Sequence, residues 1–154
     1  FLLISDATVA DSTQTALKSL AKADFLNFQN KNQEAFLAYE AMAKTYKGQE
    51  IEEVTSYRLA KLQEKMGKIS EAIPYYESLI AQFKEGIYND EANYFLAEIY
   101  RSLVEANTAD PTYLAACKQK AMAAYEYVIL HHEDSIYYTD ARKKFRVLRG
   151  DKTQ

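Results

Sequence analysis

The residues best suited to chemistry are few and scattered. His131, His132, Glu133 and Asp134 stand together as "HHED", four side chains of metal-ligating type. A metal site needs such groups to converge, whereas consecutive helical positions diverge by about 100°. The run reads instead as a helix C-terminus, where histidine favours the negative end of the dipole. The single cysteine, Cys117, shares an apolar helical stripe with Leu114 and Ala121. That setting suits a packed thiol rather than a nucleophile. The chain has no Glu-x-x-His pair of the helical di-iron kind, no Gly-rich phosphate loop and no dinucleotide fingerprint. These residues give an enzyme no footing, and they imply no cofactor and no metal.

Two other groups raise binding rather than catalysis. "RKKFRVLRGD", Arg142 to Asp151, holds five basic residues and one acid. Its net charge is +4, so the overall −3 leaves −7 for the rest of the chain. One reading is a site for an acidic partner or an anionic surface. The other is a terminal helix with a solvated polar face and cations near its C-terminus. The letters "RGD" at Arg149 to Asp151 are a three-residue match and a weak signal. The 13 tyrosines offer rings for stacking on bases or sugars. However, Tyr39, Tyr76 and Tyr125 recur at fixed positions, which core packing with a wet hydroxyl explains better.

The elements that must position these residues are helices. The chain has 154 residues, 48% of them hydrophobic and 27% charged, which suggests one globular domain. Four glycines and two prolines are few for a fold of short strands and tight turns. The charge of −3 and the pI near 5.5 make no electrostatic case for nucleic acid. No apolar run approaches the roughly 20 residues of a membrane span. The opening "FLLISDATVA" lacks Met and a basic region, so it does not read as a signal peptide. The expectation is a segment of a longer protein, with any targeting signal upstream and further repeats there as well.

Seven helices are predicted. They cover about Ser12–Phe28, Gln33–Tyr46, Glu50–Met66, Ile69–Phe83, Asp90–Ala106, Pro111–His131 and Tyr138–Leu148. Asp11 or Ser12 is the expected first N-cap, and Asp110 with Pro111 the sixth helix start. Gly48 and Gly67 are expected C-terminal glycines. Pro74 is expected in the first turn of helix four, where no intrahelical bond is lost, or at a mild bend.

The helices repeat. Ala23, Ala60 and Ala97 are spaced by 37 residues on the odd helices. Ala35/Tyr39, Ala72/Tyr76 and Ala121/Tyr125 are Ala-x-x-x-Tyr pairs on the even ones. "GIYNDEA" at 86–92 matches "SIYYTDA" at 135–141. A small residue in one helix lets its neighbour approach closely, and the tyrosine one turn away fills the space beside it. The third pair has 24 residues between its alanines where the others have 12, so it gains 12 residues. Those residues are expected to extend its hairpin as helix, with an exposed tip at "ANTADP", 106–111.

"YRLAKLQEKMGKISEAIPYYESLI" resembles the tetratricopeptide repeat (TPR) family through Leu59-Ala60, Gly67, Ala72 and Tyr76. "YFLAEIY" at 94–100 repeats the Leu-Ala pair and a following tyrosine. The likeness covers about Ala16 to Arg149. More loosely, it is similar to TPR segments of bacterial cell-envelope proteins. No repeat carries the family's Trp, and the period exceeds the family's ~34.

The resemblance implies an all-α, right-handed superhelical stack of about three helix-turn-helix units plus a C-terminal capping helix. Residues 12–149 would form it, with 1–11 the end of an upstream region and 150–154 a tail. It implies a scaffold that binds a protein or peptide through its concave face, and a periplasmic or envelope location over a cytoplasmic one. The family's groove positions fall on Asp24, Asn27 and Phe28; on Tyr57, Lys61 and Glu64; and on Tyr94, Glu98 and Arg101. One Lys and one Asn stand there, against the Lys/Asn cluster of the carboxylate-clamping subclass. The alternative is a structural segment of a larger repeat protein with no ligand of its own.

Overall fold

The computed structural model describes the backbone of residues 2–152 and the side chains of residues 12–152. The described residues are all-helical: α1 (Leu2–Phe28), α2 (Asn32–Thr45), α3 (Glu50–Lys65), α4 (Ile69–Gln82), α5 (Asn89–Ala106), α6 (Pro111–His131) and α7 (Tyr138–Arg149). None of these helices is long and apolar enough to cross a membrane.

Local chemistry sets most of the boundaries. Gly67 adopts φ +77°, a conformation that costs glycine nothing. Its N–H bonds to Glu64 O at 2.9 Å, and the next N–H, of Lys68, bonds to Gln63 O at 2.9 Å. This paired closure satisfies the last carbonyls of α3. Asn30, at φ 60°, ends α1 in the same way, with Lys31 N bonded to Leu26 O at 3.0 Å. The Asp110 carboxylate accepts from Tyr113 N at 3.0 Å and caps α6, with Pro111 at its first position.

Two expected boundaries move. α1 starts at Leu2, so Asp11 and Ser12 lie inside it rather than capping it. Residues 2–11 contain neither Gly nor Pro, and nothing there halts helix propagation. The apolar side chains of "FLLIS" lie outside the described side chains. Pro74 falls in the second turn of α4, not the first, because Lys68 O already accepts from Ala72 N at 3.2 Å. Lacking an N–H, Pro74 leaves Ser70 O without its helical partner, a defect of about 3 kcal/mol. Burial of Ala72, Tyr76 and Leu79 on the same helix offsets it.

Contacts divide the chain into two compact units, one reaching Tyr75 and the other beginning at Tyr76. In unit 1, α2 packs against both α1 and α3. Ala23, Ala35, Tyr39, Met42, Leu59 and Leu62 form the core there. In unit 2, α6 packs against α5 and α7. The repeat positions are fully buried. Ala23, Ala60, Ala97, Ala35, Ala72, Ala121 and the tyrosines 39, 76 and 125 are all 0% exposed.

The extra length of the third pair is mostly helical: α5 and α6 run to 18 and 21 residues, with residues 107–110 outside them. The tip from Ala106 to Pro111 is exposed, and Asn107 turns it at φ 49°. Cys117 is buried on α6 and free. On α7, Ala141 is buried, whereas Phe145 and Leu148 are half-buried. Lys144 turns inward, whereas Arg142, Lys143 and Arg146 are exposed.

Candidate functional site

The polar residues at the repeat positions form one hub in each unit. In unit 1 the Tyr39 hydroxyl donates to Asp24 Oδ1. Arg58 Nε donates to the same oxygen at 3.1 Å. A helix-α1 acid, a helix-α2 tyrosine and a helix-α3 cation are thereby linked. Beside them Lys65 Nζ donates to Asn27 O and to Asn27 Oδ1, each at 2.7 Å. Lys61 and Glu64 pair along α3 at 3.4 Å.

Unit 2 contains the same arrangement. The Tyr125 hydroxyl of α6 donates to Glu98 Oε1 of α5. Lys144 Nζ of α7 donates to that oxygen at 2.7 Å. Arg101 joins the pair, donating to Glu98 Oε2 at 3.0 Å and to Tyr125 Oη at 3.1 Å. Lys144 also reaches Asp140 at 2.8 Å and Tyr94 Oη at 2.9 Å, and the Tyr94 hydroxyl donates to Asp140. The Tyr94 ring stacks on Tyr137 at 4.5 Å.

The two links occupy equivalent sequence positions. Asp24 and Glu98 each follow the conserved-spacing alanine, Ala23 or Ala97, by one residue. Tyr39 and Tyr125 each follow Ala35 or Ala121 by four. Arg58 and Lys144 flank Phe95 at 37 and 49 residues, the two offsets that align the repeats.

The hub electrostatics oppose acid–base catalysis. Burial pulls the Glu98 carboxyl upward, but hydrogen bonds from Arg101, Lys144 and Tyr125 outweigh it and hold Glu98 below the usual carboxylate range. Asp140 is also held low, first by Lys144 and then by Tyr94. Burial, then the bond to Glu98, pushes Tyr125 above the usual phenol range. Burial, then the bond to Asp24, does the same to Tyr39. Burial opposes the charge of Lys144, yet Asp140, Glu98 and Tyr94 raise it above the usual lysine range. Each group moves away from neutrality, where a general acid or base must titrate.

The sign of these shifts predicts the pH response. A carboxyl lowered in the folded state contributes stability that is full above its unfolded value, about 4.3 for Glu. That contribution disappears as pH falls through the lowered folded value. Unit 2 is therefore expected to lose denaturant resistance below about pH 4. Glu98→Gln should flatten this acid limb in urea titrations followed by circular dichroism. An unchanged limb would remove Glu98 from the account. Lys144 and Tyr125, both raised, contribute fully below their ordinary values and lose that contribution only at higher, alkaline pH.

The groove candidates fall into distinct settings. Asp24 and Asn27 are bonded within unit 1, and Glu98 and Arg101 within unit 2. Tyr57 and Tyr94 are 9% and 8% exposed, so neither ring stands open to water. Phe28 is 82% exposed at the end of α1. Sequence reasoning missed Arg58, Lys65, Tyr137, Asp140 and Lys144 as hub members. The repeat offset joining Arg58 to Lys144 was the available signal.

Three further features lie apart from the hub bonds. An open trough of about 510 Å³ in unit 2 is lined by Ile80, Leu96, Tyr100, Ala124 and Tyr127, with Lys84 and Lys120 beside them. A basic hollow of about 700 Å³ lies along α7, lined by Arg142, Lys143, Arg146 and Arg149. At "HHED", His132 Nε2 lies 2.8 Å from Asn89 Oδ1, and His131 packs on the Tyr127 ring at 4.2 Å. Among the described residues no cluster of three or more His, Cys, Asp or Glu side chains could hold a metal ion. No protein-family model matches the chain, and no curated protein matches it in sequence.

Proposed function

We propose that the chain is a TPR-like repeat module that binds a protein or peptide partner and has no catalytic role. The reading envisages about three stacked helix-turn-helix units closed by α7 as a capping helix. The observation that carries it is the recurrence of one acid–tyrosine–cation link at equivalent repeat positions, Asp24–Tyr39–Arg58 and Glu98–Tyr125–Lys144. Repeat modules of this kind bind on the surfaces their helices line. The hub side chains remain partly open to water: Asp24 and Arg58 are 39% and 33% exposed. In unit 1 this exposure leaves them within reach of a peptide backbone.

The internal bonding of the same residues favours the second reading, a structural segment without a ligand. Selection from a displayed random-peptide library separates the two. The binding reading expects a recurring peptide motif whose capture is lost with Lys61→Ala or Arg101→Ala while helicity is retained. Selection that returns no motif, or binders indifferent to both changes, supports the structural reading.

A further inference from the structure

The apolar trough of unit 2 occupies a place that the preceding repeat fills with a ring. Ala124, in its lining, stands 49 residues after Tyr75. The same offset carries Ala72 to Ala121 and Tyr76 to Tyr125. In unit 1 Tyr75 packs on the core that includes Leu59, and its ring meets Phe36 edge-on with centroids 6.5 Å apart. Leu96 stands 37 residues after Leu59, and it lines the trough. The leucine is thus repeated, and the tyrosine ring is not. The space left is about 510 Å³, within the range of small-molecule sites. Residue 124 sets this gap, on helices internal to the chain.

The lining defines what fits. Lys120 lies one turn before Ala124 on α6 and lines the same trough. Its Nζ sits 5.4 Å from the centroid of the Tyr100 ring, and it has no ion pair among the described residues. Glu77, the one acid of the lining, already accepts from the Tyr100 hydroxyl at 2.8 Å. The uncommitted charge beside the gap is therefore positive. Next to the lining, Ser78 and Gln82 on α4 and Gln119 and Glu126 on α6 are exposed and polar. The apolar surface ends with the trough, so a docked helix, whether of this protein or of a second copy, finds no stripe to follow.

We propose that the trough binds a small aromatic carboxylate. The ring takes the place over Ala124 and Leu96 that the Tyr75 ring takes in the preceding repeat. The carboxylate meets Lys120 one helical turn away, beside the Tyr100 ring. The site lies apart from the hub bonds, and it does not rest on the groove reading.

Amide-shift NMR titration of the whole 154-residue chain with 3-phenylpropionate and with 3-phenylpropylamine tests it. The two probes share a ring and differ in the sign of their charge. The propionate is expected to shift Leu96, Ala123 and Ala124, and to bind about tenfold more tightly than the amine. Ala124→Tyr restores the ring of the preceding repeat and should abolish that binding. Lys120→Glu, at an exposed position, should leave the thermal melt unchanged and reverse the preference toward the amine. Should the tyrosine variant fail to fold, Lys120→Glu decides alone. Equal affinity for the two probes, or propionate binding that survives either substitution in a folded chain, would overturn the proposal. So would shifts confined to the basic hollow of α7, because the anion alone would then be recognised.

Discussion

Tyr125→Ala is expected to destabilise unit 2 by about 3–5 kcal/mol, the range for truncating a buried aromatic. The ring is fully buried, and it packs edge-on against Tyr94 with centroids 6.1 Å apart. The hydroxyl donates to Glu98 and accepts from Arg101. Truncation opens a cavity and removes a donor that holds the Glu98 carboxylate. Tyr125→Phe keeps the ring and isolates the hydroxyl. It should cost about 1.5 kcal/mol, the low end for a hydrogen bond to a charged group. Glu98 retains Lys144 and Arg101, which limits the loss. Urea denaturation followed by circular dichroism measures both. An alanine variant within about 1 kcal/mol of wild type would mean the ring fills no core position.

Tyr94→Ala is the second large effect, and it reverses the expectation drawn from repeat position. As a groove anchor, Tyr94 would be lost without harm to the fold. In the structure it stacks on Tyr137, meets Phe95 edge-on at 5.5 Å and donates its hydroxyl to Asp140. Lys144 sits 5.2 Å from the ring centroid. The expected loss is about 3 kcal/mol, again from ring truncation in a packed site. Tyr94→Phe should lose much less, because Lys144 and Asp140 still pair directly at 2.8 Å. A thermal melt of Tyr94→Ala matching wild type would return this residue to the exposed groove. The buried Tyr57 is expected to behave in the same direction.

These two residues show where sequence reading succeeds and where it stops. The all-helical class and most helix ends were legible because they rest on local chemistry. Asp110-Pro111 at a start and Gly67 at a stop act within a turn of their own position. The alanine and tyrosine core was legible because the 37-residue spacing repeats. The start of α1 was not, since a good capping residue also sits quietly inside a helix when nothing upstream breaks it. Pro74 misled because its cost is offset by burial that local sequence does not display.

The hubs were half legible. Asp24, Asn27, Tyr94, Glu98 and Arg101 were singled out by repeat position, yet apart from the Glu98–Arg101 pair their hub partners lie 15 to 50 residues away. Periodicity reports which residues share a face, not which cation turns inward. Lys144 stands among five basic residues, and composition cannot separate it from Lys143. Its equivalence to Arg58 was hidden because Phe95 occupies the intervening repeat position.

The claim that the chain is built from equivalent repeats is tested most directly by paired double-mutant cycles in denaturant. One cycle combines Tyr39→Phe with Asp24→Asn, and the other Tyr125→Phe with Glu98→Gln. Residues in direct hydrogen-bond contact couple by about 0.5–3 kcal/mol, whereas independent ones add within about 0.3–0.5 kcal/mol. The account predicts coupling of the same sign above that additive range in both cycles. Coupling in one cycle with additivity in the other would contradict it, since the two links would then not be copies of one device.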